Sequence, residues 1–283
     1  VMAIGNHETN DLEGSEEERA PFYFGFFPQG GKTYFSRRFG ANLGMIVLDS
    51  GHLVAPEAQV GWLEERLKEF AELPFRAAVY HVPLYPSHRD FNDGRSVDER
   101  TFWLPLFDAY SLSVGFEHHD HDFKRSKRLR NNAVDPEGTL YLGDGNAGVM
   151  PRKPNPGLWY LEKTGRESHF WIVDVTTEEM RFNAVNIRGD VFDETAVMAG
   201  TLVVSNTLIA ADTTRPLVKL TGGAAKLTRC TLADGAGYTA YLSGGDLMLS
   251  RCIAADCPSG YCQIDGGTFD AEYSCLPSLD GVT

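Results

Sequence analysis

Five of the eight histidines in this 283-residue chain fall into three short clusters separated by long stretches of sequence. They are Gly5-Asn6-His7-Glu8, then His81, then His118-His119-Asp120-His121. Neutral imidazole is the commonest protein ligand for zinc, iron and similar ions, and an amide oxygen such as that of Asn6 suits a harder cation beside it. One histidine alone is more often a hydrogen-bonded core or surface residue. Three clusters that each follow a predicted strand reverse that expectation, because ligands of open α/β sheets bind beyond the carboxyl ends of the strands. The spacing therefore predicts a metal centre assembled from distant segments. Thiolate chemistry is excluded from the first 229 residues, since Cys230, Cys252, Cys257, Cys262 and Cys275 all come later. The odd cysteine count leaves the redox compartment open.

The elements that must position these groups read as a layered α/β domain. Short apolar runs at residues 1–4, 42–48, 75–80, 112–116 and 139–142 are predicted strands, each followed by polar or turn-forming residues. Pro56 suits a first helical position, and Val60, Leu63, Leu67 and Phe70 recur at helical spacing, so a helix should cover the sheet there. A second helix is predicted over 97–110, with Phe102, Leu106 and Tyr110 as its apolar stripe. The runs 170–173, 180–187 and 191–192 predict a closing antiparallel meander, with a turn in Thr176-Thr177-Glu178-Glu179. The acidic stretch 11–18 reads as a solvated loop.

Composition narrows the function classes. With 42% hydrophobic residues the chain buries one large core or two smaller ones, which excludes general disorder. A net charge of -13, from 26 basic and 39 acidic residues, repels phosphate backbones, so no nucleic-acid partner is expected. No run approaches the roughly 20 apolar residues of a membrane span. The first residues lack the charged and apolar regions of a signal peptide.

Beyond about residue 197 the pattern becomes periodic. Gly222-Gly223, Gly244-Gly245 and Gly266-Gly267 recur every 22 residues, with Gly200 another 22 before the first pair. Short β-rich runs lie on both sides of each pair, which predicts glycine corners between strands. Asn206, Cys230, Cys252 and Cys275 take equivalent positions, so stacked coils would place them in one inward ladder. A buried stack of small hydrophobic thiols is the simplest reading of the cysteines, with a Cys257–Cys262 loop disulfide as the alternative. The repeat length, β-rich runs and glycines resemble right-handed parallel β-helices of the pectin-lyase-like kind over 197–283.

The histidine clusters, taken with their neighbours, resemble a known family. Gly5-Asn6-His7-Glu8, His81-Val82-Pro83-Leu84-Tyr85 and His119-Asp120-His121-Asp122-Phe123-Lys124-Arg125 are similar to the third, fourth and fifth signature blocks of calcineurin-like metallophosphoesterases. They are closest to purple acid phosphatases and related bacterial enzymes. Arg100, Trp103-Leu104-Pro105-Leu106-Phe107 and Tyr110 look like the helix that precedes the last block.

Over 1–196 the resemblance implies a four-layered α/β sandwich holding two metal ions, of iron, zinc or manganese, with a hydroxide generated on them that attacks a phosphate ester. It implies Asn6, His81 and His119 as ligands of one ion and His121 as a ligand of the other. It further implies His7 as the phosphate contact and general acid, Glu8 as the carboxylate that orients His7, and His88 and Arg89 as substrate-binding residues. His88 is otherwise an exposed loop histidine. His118 stands where relatives carry glycine, either as a substitute ligand or with its side chain pointing away.

The two upstream blocks of the family, which hold the bridging aspartate, are not among these residues, so the sandwich is expected to be incomplete at its front and this chain alone inactive or nearly so. Gly143-Asp144-Gly145 is expected as a supporting turn. The function so implied is hydrolysis of a phosphate ester, of the acid-phosphatase monoesterase type, in the periplasm or outside the cell. The β-helix is a candidate contact for polysaccharide or a cell surface. The alternative is a non-catalytic surface protein that binds carbohydrate or a partner.

Overall fold

The computed structural model describes residues 1–10, 12–27, 29–143, 146 and 148–199, then 201–205, 208–210, 218–228, 230–233, 240–250, 252–254 and 262–272. The chain divides into two compact units, one of 1–175 with 181–197 and one of 176–180 with 198–283.

The first unit is built on a seven-stranded mixed sheet of order β1-β2-β3-β4-β8-β5-β9. Its strands are β1 (Phe35–Phe39), β2 (Leu43–Val47), β3 (Phe75–Tyr80), β4 (Val114–Glu117), β5 (Phe123–Ser126), β8 (Leu140–Gly143) and β9 (Leu161–Gly165); β6 (Leu129–Arg130) and β7 (Ala133–Val134) form a small separate arm. The central strands β2, β3, β4 and β8 run parallel, while β1, β5 and β9 pair antiparallel to their neighbours. Helices α1 (Glu16–Arg19), α2 (Pro21–Phe26), α3 (Val60–Glu69), α4 (Gly94–Phe102) and α5 (Leu104–Ala109) accompany the sheet.

Leu63 and Leu67 of α3 and Leu104 and Phe107 of α5 pack with Ile46, Ala78 and Tyr80 in one buried cluster. Burying each such side chain contributes roughly 1.5–3 kcal/mol. The opposite face, set by strand alternation, presents Phe116, which meets Phe182 with ring centroids 6.0 Å apart. Phe182 belongs to the three-stranded sheet of β10 (His169–Val175), β11 (Glu179–Asn186) and β12 (Val191–Met198), the closing meander expected from sequence.

Three expectations for the first unit differ from the structure. Residues 1–4 pair with no strand among the described residues; they are a loop anchored by Ile4, which packs with Ala20 and Tyr23. The acidic stretch contains α1, because Ser15 accepts the Glu18 N–H and the Glu18 carboxylate accepts the Ser15 N–H, a reciprocal cap that satisfies both ends of the first turn. The helix expected over 97–110 is two helices with Trp103 between them, since Pro105 lacks the N–H that a continuous helix requires.

The second unit pairs its strands in parallel. One sheet is β13 (Thr201–Ser205), β15 (Val218–Thr228), β17 (Ala240–Ser250) and β19 (Cys262–Glu272); the other is β14 (Leu208–Ala210), β16 (Thr231–Ala233) and β18 (Ile253–Ala254). Val218 pairs with Ala240 and Ala240 with Cys262, steps of the 22-residue repeat. The glycine pairs expected at corners lie inside the eleven-residue strands, where the register shifts. Glycine in a strand marks such irregularities because it has no side chain to pack. Ala225 and Leu247 are paired and buried, as are Leu227 and Leu249, and Cys230 and Cys252 are buried thiols. Asn206, Cys257 and Cys275 of the expected ladder and loop disulfide lie outside the described residues.

Candidate functional site

Because β2, β3 and β4 are adjacent and parallel, their carboxyl ends share one edge, and the segments beyond them carry His52, His81 and His118–His121. The segment after β2 is held by Asp49, whose buried carboxylate accepts the N–H groups of His52 at 2.7 Å, Val54 at 3.1 Å and Leu53 at 3.2 Å. Gln59 closes the same turn by accepting the Asp49 N–H at 3.0 Å and donating to the Asp49 carbonyl at 2.7 Å. The segment after β3 is anchored by Arg100, which donates to the carbonyls of Leu84 and Phe91, and by Ser96, which donates to that of Pro83 at 2.7 Å. Beneath lies a fully buried ion pair. Lys124 Nζ donates at 2.5 Å to Glu117 and at 2.5 Å to the Tyr85 carbonyl, while Tyr80 and the Leu84 N–H donate to the other Glu117 oxygen at 2.9 and 2.8 Å. A buried pair is tolerable only when such extra bonds satisfy both charges.

At this edge three side chains converge. His81 Nε2 lies 2.9 Å from Asn6 Oδ1 and 2.9 Å from His119 Nδ1, although the three residues are far apart in sequence. Donor atoms that share an ion at roughly 2.0–2.2 Å stand about 3 Å from one another. Both separations from His81 Nε2 are those of donors sharing one ion, and two imidazoles with an amide oxygen suit an ion of intermediate hardness. Among the described residues no group of three or more His, Cys, Asp or Glu side chains is placed to hold a metal ion by itself.

The imidazoles are neutral and hold their lone pairs. Burial, aided by the neighbouring histidines, lowers the His81 pKa to about 2. Burial with nearby Arg89 lowers that of His119 to about 4. His121 is lowered too, by burial and by Arg152, Arg89 and His7. Backbone geometry marks the same loop: His119 and His121 have φ of 70° and 59°, left-handed values that non-glycine residues adopt at a cost of roughly 1–3 kcal/mol.

The other residues expected at the site are arranged as follows. His7 is exposed in the turn that carries Asn6. The Glu8 carboxylate accepts the Gly5 N–H at 2.8 Å, so it braces the turn itself. His88 is exposed and its Nδ1 donates to the Lys153 carbonyl at 2.9 Å. Arg89 Nη1 donates to the His119 carbonyl at 2.6 Å and to Asp120 at 2.8 Å. His118 is not among the converging groups, because its Nδ1 donates to the Tyr80 carbonyl at 2.7 Å. Asp144 and Gly145 lie outside the described residues.

Sequence reasoning passed over His52. Its ring lies 5.3 Å from that of His81 at 64°, its Nδ1 accepts from Arg95 at 2.6 Å, and its buried Nε2 has no hydrogen-bond partner among the described residues. Burial and the Arg95 charge lower its pKa to about 3. The signal was the same as for the others, a histidine shortly after a predicted strand, but without a second histidine or a recognisable block around it.

No family model matches the chain. A curated relative, purple acid phosphatase 15 of Arabidopsis thaliana, is 26% identical over 157 residues, which cover 52% of this chain and 29% of that protein. The structure of a purple acid phosphatase from yellow lupin (Lupinus luteus) seeds superposes with a TM-score of 0.58 at 17% identity, over 69% of this chain and 40% of that one. The chain thus spans under a third of the curated relative and under half of the solved one. Across the matched residues, the mixed α/β sheet and the few helices beside it have the fold of the purple acid phosphatases, members of the metallophosphoesterase superfamily.

Proposed function

We propose that this chain carries part of a metal-dependent phosphoester hydrolase of the acid-phosphatase type, working through a two-ion centre. The observation that supports this most is the convergence of Asn6 Oδ1, His81 Nε2 and His119 Nδ1 beyond the carboxyl edge of a sheet similar to that of a purple acid phosphatase. In this reading those three atoms hold one ion, and His121 contributes to a second. When bound, the ions neutralise the phosphoryl oxygens and activate the attacking water. The chain's own groups do the rest. His7, exposed in the Asn6 turn, protonates the departing alkoxide, and Glu8 holds that turn through the Gly5 N–H. His88 contributes to binding the phosphate, with its ring fixed by the Lys153 carbonyl. The local field belongs to the ions, which is how a chain of net charge -13 accepts an anionic substrate. We read the parallel repeats as a right-handed β-helix.

The described residues supply three donors for the first ion and one imidazole for the second. The expected result with the 283-residue chain is therefore one firmly held equivalent of zinc or manganese, and weak turnover of a chromogenic phosphate monoester. His81→Ala and His119→Ala should each abolish metal uptake measured by calorimetry and elemental analysis. Full metal content in both variants would overturn the assignment.

A further inference from the structure

Asp120 sits between His119 and His121, and an aspartate in that position invites reading as another metal ligand. Its surroundings argue otherwise. It is 3% exposed, and both carboxylate oxygens are committed to the segment that follows β3: one accepts the N–H groups of Ser87 at 2.6 Å and His88 at 3.0 Å, the other accepts Arg89 Nη1 at 2.8 Å. The same Arg89 nitrogen donates to the His119 carbonyl at 2.6 Å, and the Arg152 N–H donates to the His121 carbonyl at 2.8 Å. Ser87 Oγ adds a bond of 2.6 Å to Asp122 on the far side of His121. The carbonyls of both left-handed histidines and the side chain between them are thus tied to fixed partners. A left-handed backbone at two non-glycine positions separated by one residue persists only where its surroundings over-determine it.

We infer that Asp120, acting through Ser87 and Arg89, is a positioning residue that locks His119 and His121 in the left-handed conformation and so fixes where their imidazoles point. Arg89 belongs to this clamp through its Nη1. The inference rests on the proposed function for its consequence at the metal, but the clamp itself is a statement about the backbone.

The test uses the whole chain in two measurements. Backbone Cα and Cβ shifts of His119 and His121 report the left-handed conformation without metal, and cobalt(II) titration followed by visible absorption reports affinity and ligand geometry. Asp120→Ala and Arg89→Met should erase the left-handed shifts, weaken cobalt(II) binding about 10–100-fold and change its absorption bands, as loss of an outer partner of a ligand does. Arg89→Lys, which keeps a donor, should restore affinity to within a few-fold of the unsubstituted chain. Arg89→Met carries the test alone if Asp120→Ala does not fold. Unchanged shifts and cobalt(II) spectra in a folded variant would overturn the clamp. So would loss of cobalt(II) in Asp120→Ala with full retention in Arg89→Met, which would mark Asp120 as a ligand. If the unsubstituted chain bound no cobalt(II), the metal reading would fall, and the backbone shifts of the variants would still decide the clamp.

Discussion

A Cβ added at Gly5 would lie 2.7 Å from His81 Nδ1 and 2.8 Å from its Cε1, inside the 3.4 Å at which ordinary contact begins. It would also stand 3.0 Å from the Glu8 carboxylate that braces the turn. The ring cannot retreat freely, because its other edge faces Asn6 and His119 at 2.9 Å. Gly5→Ala should therefore displace His81 by more than the roughly 0.5 Å that a preorganised site tolerates. The expected outcome is a loss of metal affinity of about tenfold or more, measured by calorimetry, with the unfolding midpoint in urea little changed because Gly5 is outside the main core. Unaltered affinity would mean that the turn and the ring do not act together. At this scale the sequence was informative where chemistry and order coincide: Asn6, His81 and His119 were identifiable because each belongs to a recognisable block after a predicted strand. Asp120 and Arg89 were not legible as partners, since nothing in their spacing says that the carboxylate turns toward Ser87 rather than toward an ion.

Elements repeat the same division between what patterning reveals and what tertiary context decides. The run 75–80 is β3, and the helical spacing from Val60 to Phe70 marks α3, because a largely apolar run and a 3.6-residue stripe are both imposed by burial. The strands β1 and β9 escaped notice because both are sheet edges. Phe-Ser-Arg-Arg-Phe and Leu-Glu-Lys-Thr-Gly carry the charges that protect an edge and lack an apolar pattern. Helix α4 shows tertiary context most clearly, for it buries Glu99 completely. Burial pushes that carboxyl well above its ordinary 4.5, and Glu117 adds to the effect against the pull of Ser50, Arg100 and Arg95. The folded chain then holds a proton that the unfolded chain releases above about 4.5. This stabilisation is fully present below that pH and is lost as pH rises toward the folded value, by at most about 1.4 kcal/mol per pH unit. Glu99→Gln removes the titration, so the variant should gain on the unsubstituted chain as pH increases from 4 to 8. Urea unfolding at both ends of that range checks it, and a constant difference between the two chains would refute a protonated Glu99.

The molecule as a whole combines two compact units whose stabilities have different origins. The first packs helices and a second sheet on a mixed sheet around one aromatic-rich cluster and places all three donors of the proposed metal centre at one sheet edge. The second pairs parallel strands at 22-residue intervals, so that each long strand is supported chiefly by its neighbours in the sheet. Its described residues hold buried leucines and thiols and none of the site's histidines. A chain built this way should not unfold as one two-state object. Calorimetry is expected to resolve two transitions, and an ion that binds only the folded first unit should raise only one of them. At a free ion concentration of 100 times the dissociation constant the gain is about 2.7 kcal/mol, enough to move a single transition of a domain near 200 residues by roughly 5–10 °C. A chelator should reverse the shift, and His81→Ala should remove it while leaving the other transition in place. A single transition that moved as a whole with added zinc would mean that the units share one cooperative fold. Equal shifts of two transitions would place metal binding outside the Asn6, His81 and His119 cluster.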